Sequence, residues 1–218
     1  MIKLPITLIS VITTDDYVPK TLNSMLYTLK SIKPNKSILI SPSKHNLPND
    51  IESIALKINK DYSLWLIEEL VNYIYDSSHL LVHQWDSAVI DSSKWTDEFL
   101  QYDYIGAPWA IESNFRVGNG GFSLRSKKFL EDSCTLGSLL PIGKFVLANE
   151  DYFLCNTLGR FLTNVKKIKF PSIELARQFS VERPIQEYPH LYNDINTYQS
   201  FGFHGSFNES AMNLINST

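Results

Sequence analysis

The sequence predicts one α/β domain with a central mixed, mainly parallel sheet flanked by helices. In its first half, apolar β-branched runs alternate with segments of helical periodicity, which is the pattern of a parallel sheet with helices packed on it. No internal repeat, low-complexity segment or Pro/Gly/Ser-rich linker divides the 218 residues. The length and a hydrophobic content of 44% suit a single globular core.

The first strand and helix follow from two patterns near the N-terminus. Ile6–Thr13 is a continuous apolar, β-branched run, typical of a strand buried on both faces. The next segment has Pro19 in a suitable first turn and predicts an amphipathic helix. The residues of its apolar face recur at helical spacing: Leu22, Met25, Leu26 and Leu29.

A second strand, a second helix and a third strand complete the first half. Ser37–Ser41 predicts a short strand that Pro42 closes. A helix is expected from about Tyr62, with Asp61 or Ser63 as its cap. His79–Gln84 then predicts a third buried strand. Ligands bind at the carboxyl ends of strands in such sheets, so Thr13, Thr14 and the residues after Gln84 are expected near a ligand.

The second half is predicted to be more irregular. Tyr104–Ile105 and Gly121–Arg125 predict strands, a helix is expected from about Asn149, and Val165–Phe170 predicts a further strand. The C-terminal third is rich in proline and aromatic residues and is expected to be mostly loop, and long loops in compact domains are usually functional.

Composition narrows the function classes. A formal charge of −3 and a pI near 5.9 give no electrostatic reason to expect nucleic acid as a partner. Cys134 and Cys155 stand alone, which favours a reduced compartment and buried, inert thiols. The apolar run Ile6–Ile12 is too short to span a membrane and has no basic region before it. We therefore expect a cytoplasmic protein without a transmembrane segment.

Carboxylates at two points could carry chemistry. Asp86 follows a buried strand, where it could hold Mg²⁺ or Mn²⁺ against a diphosphate, or else cap a turn with Ser87. Glu150 and Asp151 begin a helix, where the dipole stabilises acids whatever their function and favours the ionised form. They point roughly 100° apart on a helix, so we expect them to face the crevice in different roles. An ionised carboxylate there could act as a general base.

Glycine, histidine and tryptophan supply the remaining candidates. In Val117–Ser126, Asn119 and Gly120 fit a hairpin turn, but Gly118, Gly120 and Gly121 would also let a ligand approach the backbone. The spacing is neither that of a P-loop nor that of a dinucleotide fingerprint. His204 lies between glycines that would let it swing onto a site, and Trp109 could stack on a sugar or base ring or pack in the core.

Five strings in this order resemble a family of galactosyltransferase-like proteins, catalogued as a domain of unknown function and expected to adopt the GT-A glycosyltransferase fold. The resemblance covers nearly the whole chain, and the strings that carry it are Leu80–Asp86, Tyr102–Trp109, Val117–Ser126, Asn149–Asp151 and Phe201–Gly205. The resemblance implies a single GT-A-like (Rossmann-like) domain over residues 1–218. Residues 1–110 would bind the nucleotide sugar, and residues 111–218 would bind the acceptor and carry the catalytic groups.

The resemblance also implies roles for individual residues. Asp86 is similar to the last acid of the Asp-x-Asp metal motif, with Gln84 in place of the first acid, and His204 resembles the histidine that completes the site. Mn²⁺ is preferred over Mg²⁺ for such mixed ligation. Asp151 matches the base of inverting enzymes, and Glu150 and Trp109 would hold the acceptor. The implied donor-binding set is Thr13, Thr14, Tyr62, Gln84, Trp85, Gly120 and Gly121.

The implied function is a metal-dependent, inverting hexosyltransferase that moves a sugar from a nucleotide sugar, first of all a UDP-sugar, to a hydroxyl of a glycan, lipid-linked or protein acceptor. A retaining mechanism stays open, as does peripheral association with a membrane. Two alternatives remain. One is an inactive carbohydrate- or nucleotide-sugar-binding domain of the same fold, and the other is a nucleotidyltransferase, although Ile9–Lys20 lacks the Gly-rich basic loop expected there.

Overall fold

A computed structural model describes residues 1–48, 50–109, 111, 114–115, 117–139, 149–182 and 199–216. Its main element is a six-stranded sheet in the order β3-β2-β1-β4-β7-β6. The strands are β1 (Ile2–Val11), β2 (Ile32–Ser41), β3 (Ile51–Ala55), β4 (His79–His83), β6 (Tyr104–Gly106) and β7 (Phe122–Ser126). Only β7 runs against its neighbours, so the sheet is mixed and mainly parallel, as predicted.

A three-stranded sheet in the order β5-β9-β8 joins distant parts of the chain. Its strands are β5 (Ser87–Val89), β8 (Ser180–Val181) and β9 (Gly202–His204). β5 pairs antiparallel with β9, and Ser87 lies opposite His204. This pairing brings β9, near the C-terminus, beside the residues that directly follow β4.

Seven α-helices surround the sheets in the described residues. They are α1 (Val18–Leu29), α2 (Tyr62–Glu69), α3 (Lys127–Leu139), α4 (Glu150–Tyr152), α5 (Gly159–Asn164), α6 (Ile173–Phe179) and α7 (Glu209–Asn216). The sequence signals act as expected, because Pro19 lies in the first turn of α1 and Asp61 accepts a hydrogen bond from the Leu64 amide to cap α2. A π-helical turn, Phe153–Thr157, links α4 to α5.

The main core lies between the sheet and the elements that pack against it. Ile6 and Leu8 of β1 are fully buried with Met25 of α1, and Phe122 of β7 packs with Phe179 and other aromatic rings at centroid separations of 5.4–6.1 Å. The opposite face of the sheet packs on α2 through Trp65 and Leu66. Burial of both sheet faces explains the unbroken apolar runs of β1 and β4.

Two details of the expected elements need correction. β1 ends at Val11, so Thr13 and Thr14 lie in the loop that follows and not on the strand. Val165–Phe170 is a loop, although its alternating hydrophobicity predicts a strand. Lys167 there has a φ of 59°, which a strand does not allow, and Ile168 is buried because this loop packs under α5.

The adjacency of the first and third predicted strands is confirmed. β1 and β4 are hydrogen-bonded parallel neighbours, with Ile9 opposite Val82, so their carboxyl ends open at one edge of the sheet. In the described part of the chain, no helix is both long and apolar enough to cross a membrane. Cys155 is buried and Cys134 is partly exposed, and both are free thiols.

Candidate active site

Two adjoining cavities open at the carboxyl edge of the parallel strands. The smaller, about 180 Å³, is lined by Val11, Ile12, Thr13, Tyr17, Thr21, Tyr62, His83, Gln84 and Trp85. The larger, about 440 Å³, is lined among others by Trp109, Gly120, Gly121, Glu150, Asp151, Tyr152, Glu182 and His204. Tyr62 and Gln84 line both cavities. The two spaces therefore meet at these residues.

Four of the predicted donor-binding residues line the smaller cavity: Thr13, Tyr62, Gln84 and Trp85. Trp85 packs on Tyr17 with ring centroids 5.8 Å apart, and Lys20 Nζ lies 4.9 Å from the Trp85 ring. Thr14 is placed differently, because its hydroxyl accepts the amide of Asp16 and caps a 3₁₀ turn. The smaller cavity thus has an apolar floor, an aromatic wall and a cation near its mouth.

Asp86 and His204 come together although they lie 118 positions apart in the sequence. Asp86 Oδ1 lies 3.4 Å from His204 Nε2, and Gln84 Oε1 lies 3.1 Å from the same nitrogen. The other oxygen, Asp86 Oδ2, accepts the backbone amide of Ser206. Asp86 Oδ1 is buried and has no hydrogen-bond partner among the described residues. The oxygens of Gln84 and Asp86 therefore both approach His204 Nε2.

The charge of His204 is set by acids on both sides of its ring. Glu182 Oε1 lies 3.6 Å from Nδ1, opposite the Asp86 contact at Nε2. Burial lowers the pKa of His204, but its contacts with Asp86 and Glu182 outweigh burial and raise that pKa to about 9. Conversely, burial raises the pKa of Asp86, and His204 holds it below its ordinary value. In the absence of other ligands, His204 is therefore an imidazolium near neutral pH.

Asp151 lies on the wall of the larger cavity, at the first turn of α4. Its Oδ2 accepts the Gly120 amide and its Oδ1 accepts the Tyr152 amide, each at 2.7 Å. Burial and the neighbouring Glu150 carboxylate raise the pKa of Asp151 to about 6, although these amides lower it. The expectation that the helix start favours the ionised form is therefore corrected, because α4 has only three residues and burial outweighs its dipole.

Glu150 borders the crevice that it was expected to face, but it is buried and its carboxylate is held by a cation. Its Oε1 pairs with Arg125 Nη2 at 2.8 Å, and the two side chains are 9% and 1% exposed. Arg125 also lies over the Tyr104 ring and donates to Ser123 Oγ. Glu150 still borders the larger cavity. It therefore serves first as the counter-ion of a buried guanidinium, which leaves less of its charge for a ligand.

The glycines lie where side chains would collide with the site. A Cβ at Gly121 would overlap the His204 ring, and a Cβ at Gly120 would lie 3.0 Å from both Asp151 and Arg125. Asn119 Oδ1 accepts the Gly121 amide, but neither Asn119 nor Gly120 has the positive φ that a two-residue Asn-Gly hairpin turn needs, so the hairpin interpretation is wrong. The absence of side chains therefore lets β7, Asp151 and His204 approach one another.

Sequence patterns left three residues at the site without a role. Arg125 lies within Val117–Ser126, but nothing in its neighbouring sequence indicates that it forms a buried ion pair with Glu150, which is 25 positions away. Glu182 contacts His204 only through the pairing of β8 with β9. Tyr152 lines the larger cavity beside Trp109, with ring centroids 5.7 Å apart, and its position directly after Asp151 was the available signal.

Solved glycosyltransferases share this architecture. The chain is similar to a glycosyltransferase involved in glycosylation of the major capsid of PBCV-1, with a TM-score of 0.54 and 11% identity over 97% of this chain and 98% of that one. It is also similar to the galactosyltransferase LgtC, solved with donor and acceptor sugar analogues, with a TM-score of 0.50 and 11% identity over 97% and 95%. At these identities the likeness establishes the fold, which is the GT-A type expected.

A third similar structure is the glycosyltransferase GlyE of Streptococcus pneumoniae TIGR4, with a TM-score of 0.51 and 10% identity over 96% of this chain and 60% of that one. No curated protein matches the chain by sequence. The model of one family, described as protein of unknown function (DUF5672), matches residues 49–204, which include both Asp86 and His204. Since this match covers well over half of its length, the chain belongs to the DUF5672 family.

Proposed function

We propose that this protein is a glycosyltransferase that moves a sugar from a nucleotide sugar, first of all a UDP-sugar, to a hydroxyl acceptor. The observation that carries the proposal is the pair of adjoining cavities that meet at Tyr62 and Gln84. The smaller cavity has the apolar and aromatic lining that suits a nucleoside. The larger one has the polar lining and the carboxylate that a sugar and an acceptor would need.

The donor would lie across both cavities. Its nucleoside would occupy the space bordered by Thr13, Tyr17 and Trp85, and its diphosphate would lie near Gln84 and His204. The transferred sugar would then lie against Gly120 and Gly121. Thr14 would act indirectly, by capping the turn that carries Tyr17.

A divalent cation, with Mn²⁺ preferred over Mg²⁺, is part of the proposal. Among the described residues, no three His, Cys, Asp or Glu side chains group to hold a metal ion. Gln84 Oε1 would therefore join Asp86 Oδ1 and His204 Nε2 as the third protein ligand, and the lack of a hydrogen-bond partner for the buried Asp86 Oδ1 supports this. Mn²⁺ accepts such mixed oxygen and nitrogen ligands. When bound, the cation would supply positive charge to the leaving diphosphate.

Asp151 would act as the general base. It would accept the proton of the acceptor hydroxyl as that oxygen attacks the anomeric carbon, while the bond to the diphosphate breaks and its electrons leave with the phosphate. The amides of Gly120 and Tyr152 fix the carboxylate and leave lone pairs for the acceptor proton. Attack by an oxygen opposite the leaving group would invert the anomeric centre.

A donor screen tests the proposed function. The protein would be incubated with UDP-, GDP- and CMP-sugars, with Mn²⁺ or with a chelator, and release of the nucleotide would be followed with and without added acceptors. We expect slow hydrolysis of one donor class, several times faster with Mn²⁺. If no donor is bound or consumed under any of these conditions, the proposed function is wrong.

An inactive sugar- or nucleotide-sugar-binding domain is the second candidate. Gln84 in place of a carboxylate and the neutralisation of Glu150 by Arg125 favour it, because each reduces the negative charge available for chemistry. Such a domain would bind a nucleotide sugar in the same screen and release no nucleotide over hours.

A further inference from the structure

We propose that the acceptor is an uncharged pyranose ring, held against an aromatic platform formed by Trp109 and Tyr152. This inference rests on the proposed function and deepens it, because it selects one acceptor class among glycans, lipids and proteins. The two rings line the larger cavity, with their centroids 5.7 Å apart and their planes tilted by 46°.

The platform has one fixed ring and one exposed ring. Trp109 is partly buried against the cluster that contains Leu154 and Cys155, and a Cβ at Gly118 would lie 2.8 Å from its ring. Glycine at 118 therefore lets the indole approach the backbone closely. Tyr152 is 47% exposed although it packs on Trp109. Its uncovered surface is the free part of the platform.

The position of the platform matches the geometry of transfer. Tyr152 directly follows Asp151, whose carboxylate is fixed by the Tyr152 amide itself at 2.7 Å. A ring that rests on Tyr152 and Trp109 would thus place its hydroxyls beside the proposed base. The C–H groups on one face of a pyranose form an apolar surface, and burial of that surface against an aromatic ring is favourable.

The charges on the described part of the cavity wall disfavour an acidic acceptor. Among the described residues that line it, Glu150, Asp151 and Glu182 are acids, and His204 is the one basic side chain, which under the proposed function faces the donor diphosphate or its cation. Arg125 offsets Glu150 from behind and does not line the cavity. An anionic sugar would therefore meet repulsion at close range in a partly buried site. A neutral pyranose meets none.

The platform is separate from the nucleoside side of the site. Tyr17 and Trp85 form the aromatic wall of the smaller cavity, and neither Trp109 nor Tyr152 lines it. If the Trp109–Tyr152 pair held the nucleotide base, replacing Tyr152 would therefore weaken nucleotide binding. If the pair holds the acceptor, replacing Tyr152 leaves nucleotide binding unchanged.

The test uses the purified chain with three substitutions. Tyr152→Leu removes the exposed ring, Tyr152→Phe keeps it, and Phe161→Leu removes an exposed aromatic ring of α5 that lies outside the cavity lining. Acceptor KM is measured with methyl glycosides of neutral hexoses, with uronic acid glycosides, with a serine/threonine peptide and with a prenyl phosphate. Nucleoside diphosphate affinity is measured by calorimetry.

We expect only the neutral glycosides to accelerate nucleotide release. Tyr152→Leu should raise their KM roughly threefold to tenfold and leave nucleoside diphosphate affinity within about twofold, whereas Tyr152→Phe should lose less than Tyr152→Leu because it keeps the ring, and Phe161→Leu should match the parent. Greater acceleration by a uronide, peptide or lipid would overturn the inference. So would an unchanged KM, or equal losses of acceptor and nucleotide binding, in Tyr152→Leu.

A binding arm separates this inference from the proposed function. Saturation-transfer NMR with a neutral methyl glycoside reports ring contact without any catalysis. If the glycoside contacts the parent protein but not Tyr152→Leu, and no donor is consumed, the aromatic platform is upheld and the proposed transferase activity is refuted. If a donor is consumed but the glycoside makes no such contact, the transferase activity is upheld and the platform is refuted.

Discussion

Arg125 and Glu150 form a buried ion pair on which the shape of the site depends. Replacing Arg125 with Met leaves the Glu150 carboxylate buried without its partner, which typically costs about 3–5 kcal/mol. The double variant Arg125→Met/Glu150→Gln removes that uncompensated charge, and we expect it to recover much of the loss. Urea unfolding of the two variants measures the difference.

The exposed pair of Lys36 with Glu52 supplies the control for this experiment. Its side chains are 34% and 43% exposed, so Lys36→Met should cost at most about 1 kcal/mol because solvent screens the pair. Equal losses for Lys36→Met and Arg125→Met would show that Arg125 is not the counter-ion we infer.

Asp151 should govern the pH dependence of transfer. Its pKa is raised to about 6, so the ionised form that can accept a proton increases as pH rises through 6. We expect kcat/KM to rise about tenfold per pH unit below pH 6 and to level off above about pH 7. Asp151→Asn should keep nucleotide affinity but lower the rate about 10²–10⁴-fold. A flat profile from pH 5 to 7, or near-normal transfer by the variant, would exclude Asp151 as the base.

At the scale of elements, the loop before β7 and the strand β9 must approach without a side chain between them. Gly121→Ala would drive a methyl group into the His204 ring and displace it from Asp86. We expect nucleoside diphosphate affinity in the presence of Mn²⁺ to fall at least about tenfold, and stability to fall by about 1–3 kcal/mol. Calorimetry and urea unfolding measure these two effects.

Gly137 of α3 provides the matched substitution. A Cβ there would lie 2.9 Å from Glu68 Cγ and 3.0 Å from Ile67 Cγ2, so both side chains must shift slightly, which the preference of a helix for alanine over glycine, up to about 1 kcal/mol, offsets. Gly137→Ala should therefore leave affinity unchanged and cost little or no stability. Comparable losses of affinity in the two alanine variants would indicate general strain and not the displacement of His204.

Elements with strong local patterns were predictable from sequence, and those defined by distant pairing were not. α1 and α2 follow from apolar spacing, Pro19 and the Asp61 cap, and β1 and β4 from unbroken apolar runs. β5, β8 and β9 have two or three residues each and exist because they pair with one another. Val165–Phe170 lies beside β6, where the Lys169 carbonyl accepts the Tyr104 amide, but the positive φ of Lys167 interrupts the extended backbone and the segment forms a loop.

The residues of the candidate site likewise divide into those that local sequence patterns indicate and those that depend on distant contacts. Asp86, Asp151 and His204 stand out because acids and histidines occur at strand ends, helix starts and between glycines. The inward turn of Glu150 could not be read from its neighbours, since it depends on where Arg125 lies after folding. The raised pKa of Asp151 depends likewise on burial by distant segments.

For the whole molecule, ligand binding should be measurable as stability. The Mn²⁺ complex of a nucleoside diphosphate, at about 100 times its dissociation constant, should add roughly 2.7 kcal/mol and raise Tm by about 5–10 °C. Asp86→Asn should abolish the part of the shift that depends on Mn²⁺. Differential scanning fluorimetry with and without the cation measures this.

Asp91→Asn is the control for that measurement. Asp91 caps a 3₁₀ turn in an exposed position, and asparagine caps almost equally well. Its ligand-induced shift should equal that of the parent. If Asp86→Asn also retains the whole shift, Asp86 does not hold a cation, and the Ser206 contact is its main role.

The pairing of β5 with β9 also has a consequence for synthesis of the chain. Every strand of the main sheet is complete once residue 126 has been made, but His204 reaches Asp86 only after nearly eighty more residues. Contacts of such long sequence separation form late. A truncated or stalled product could therefore fold its sheet and still lack half of the diphosphate site. Binding of nucleotide would then distinguish finished molecules from unfinished ones, and a donor in the medium would selectively protect the finished ones from proteolysis.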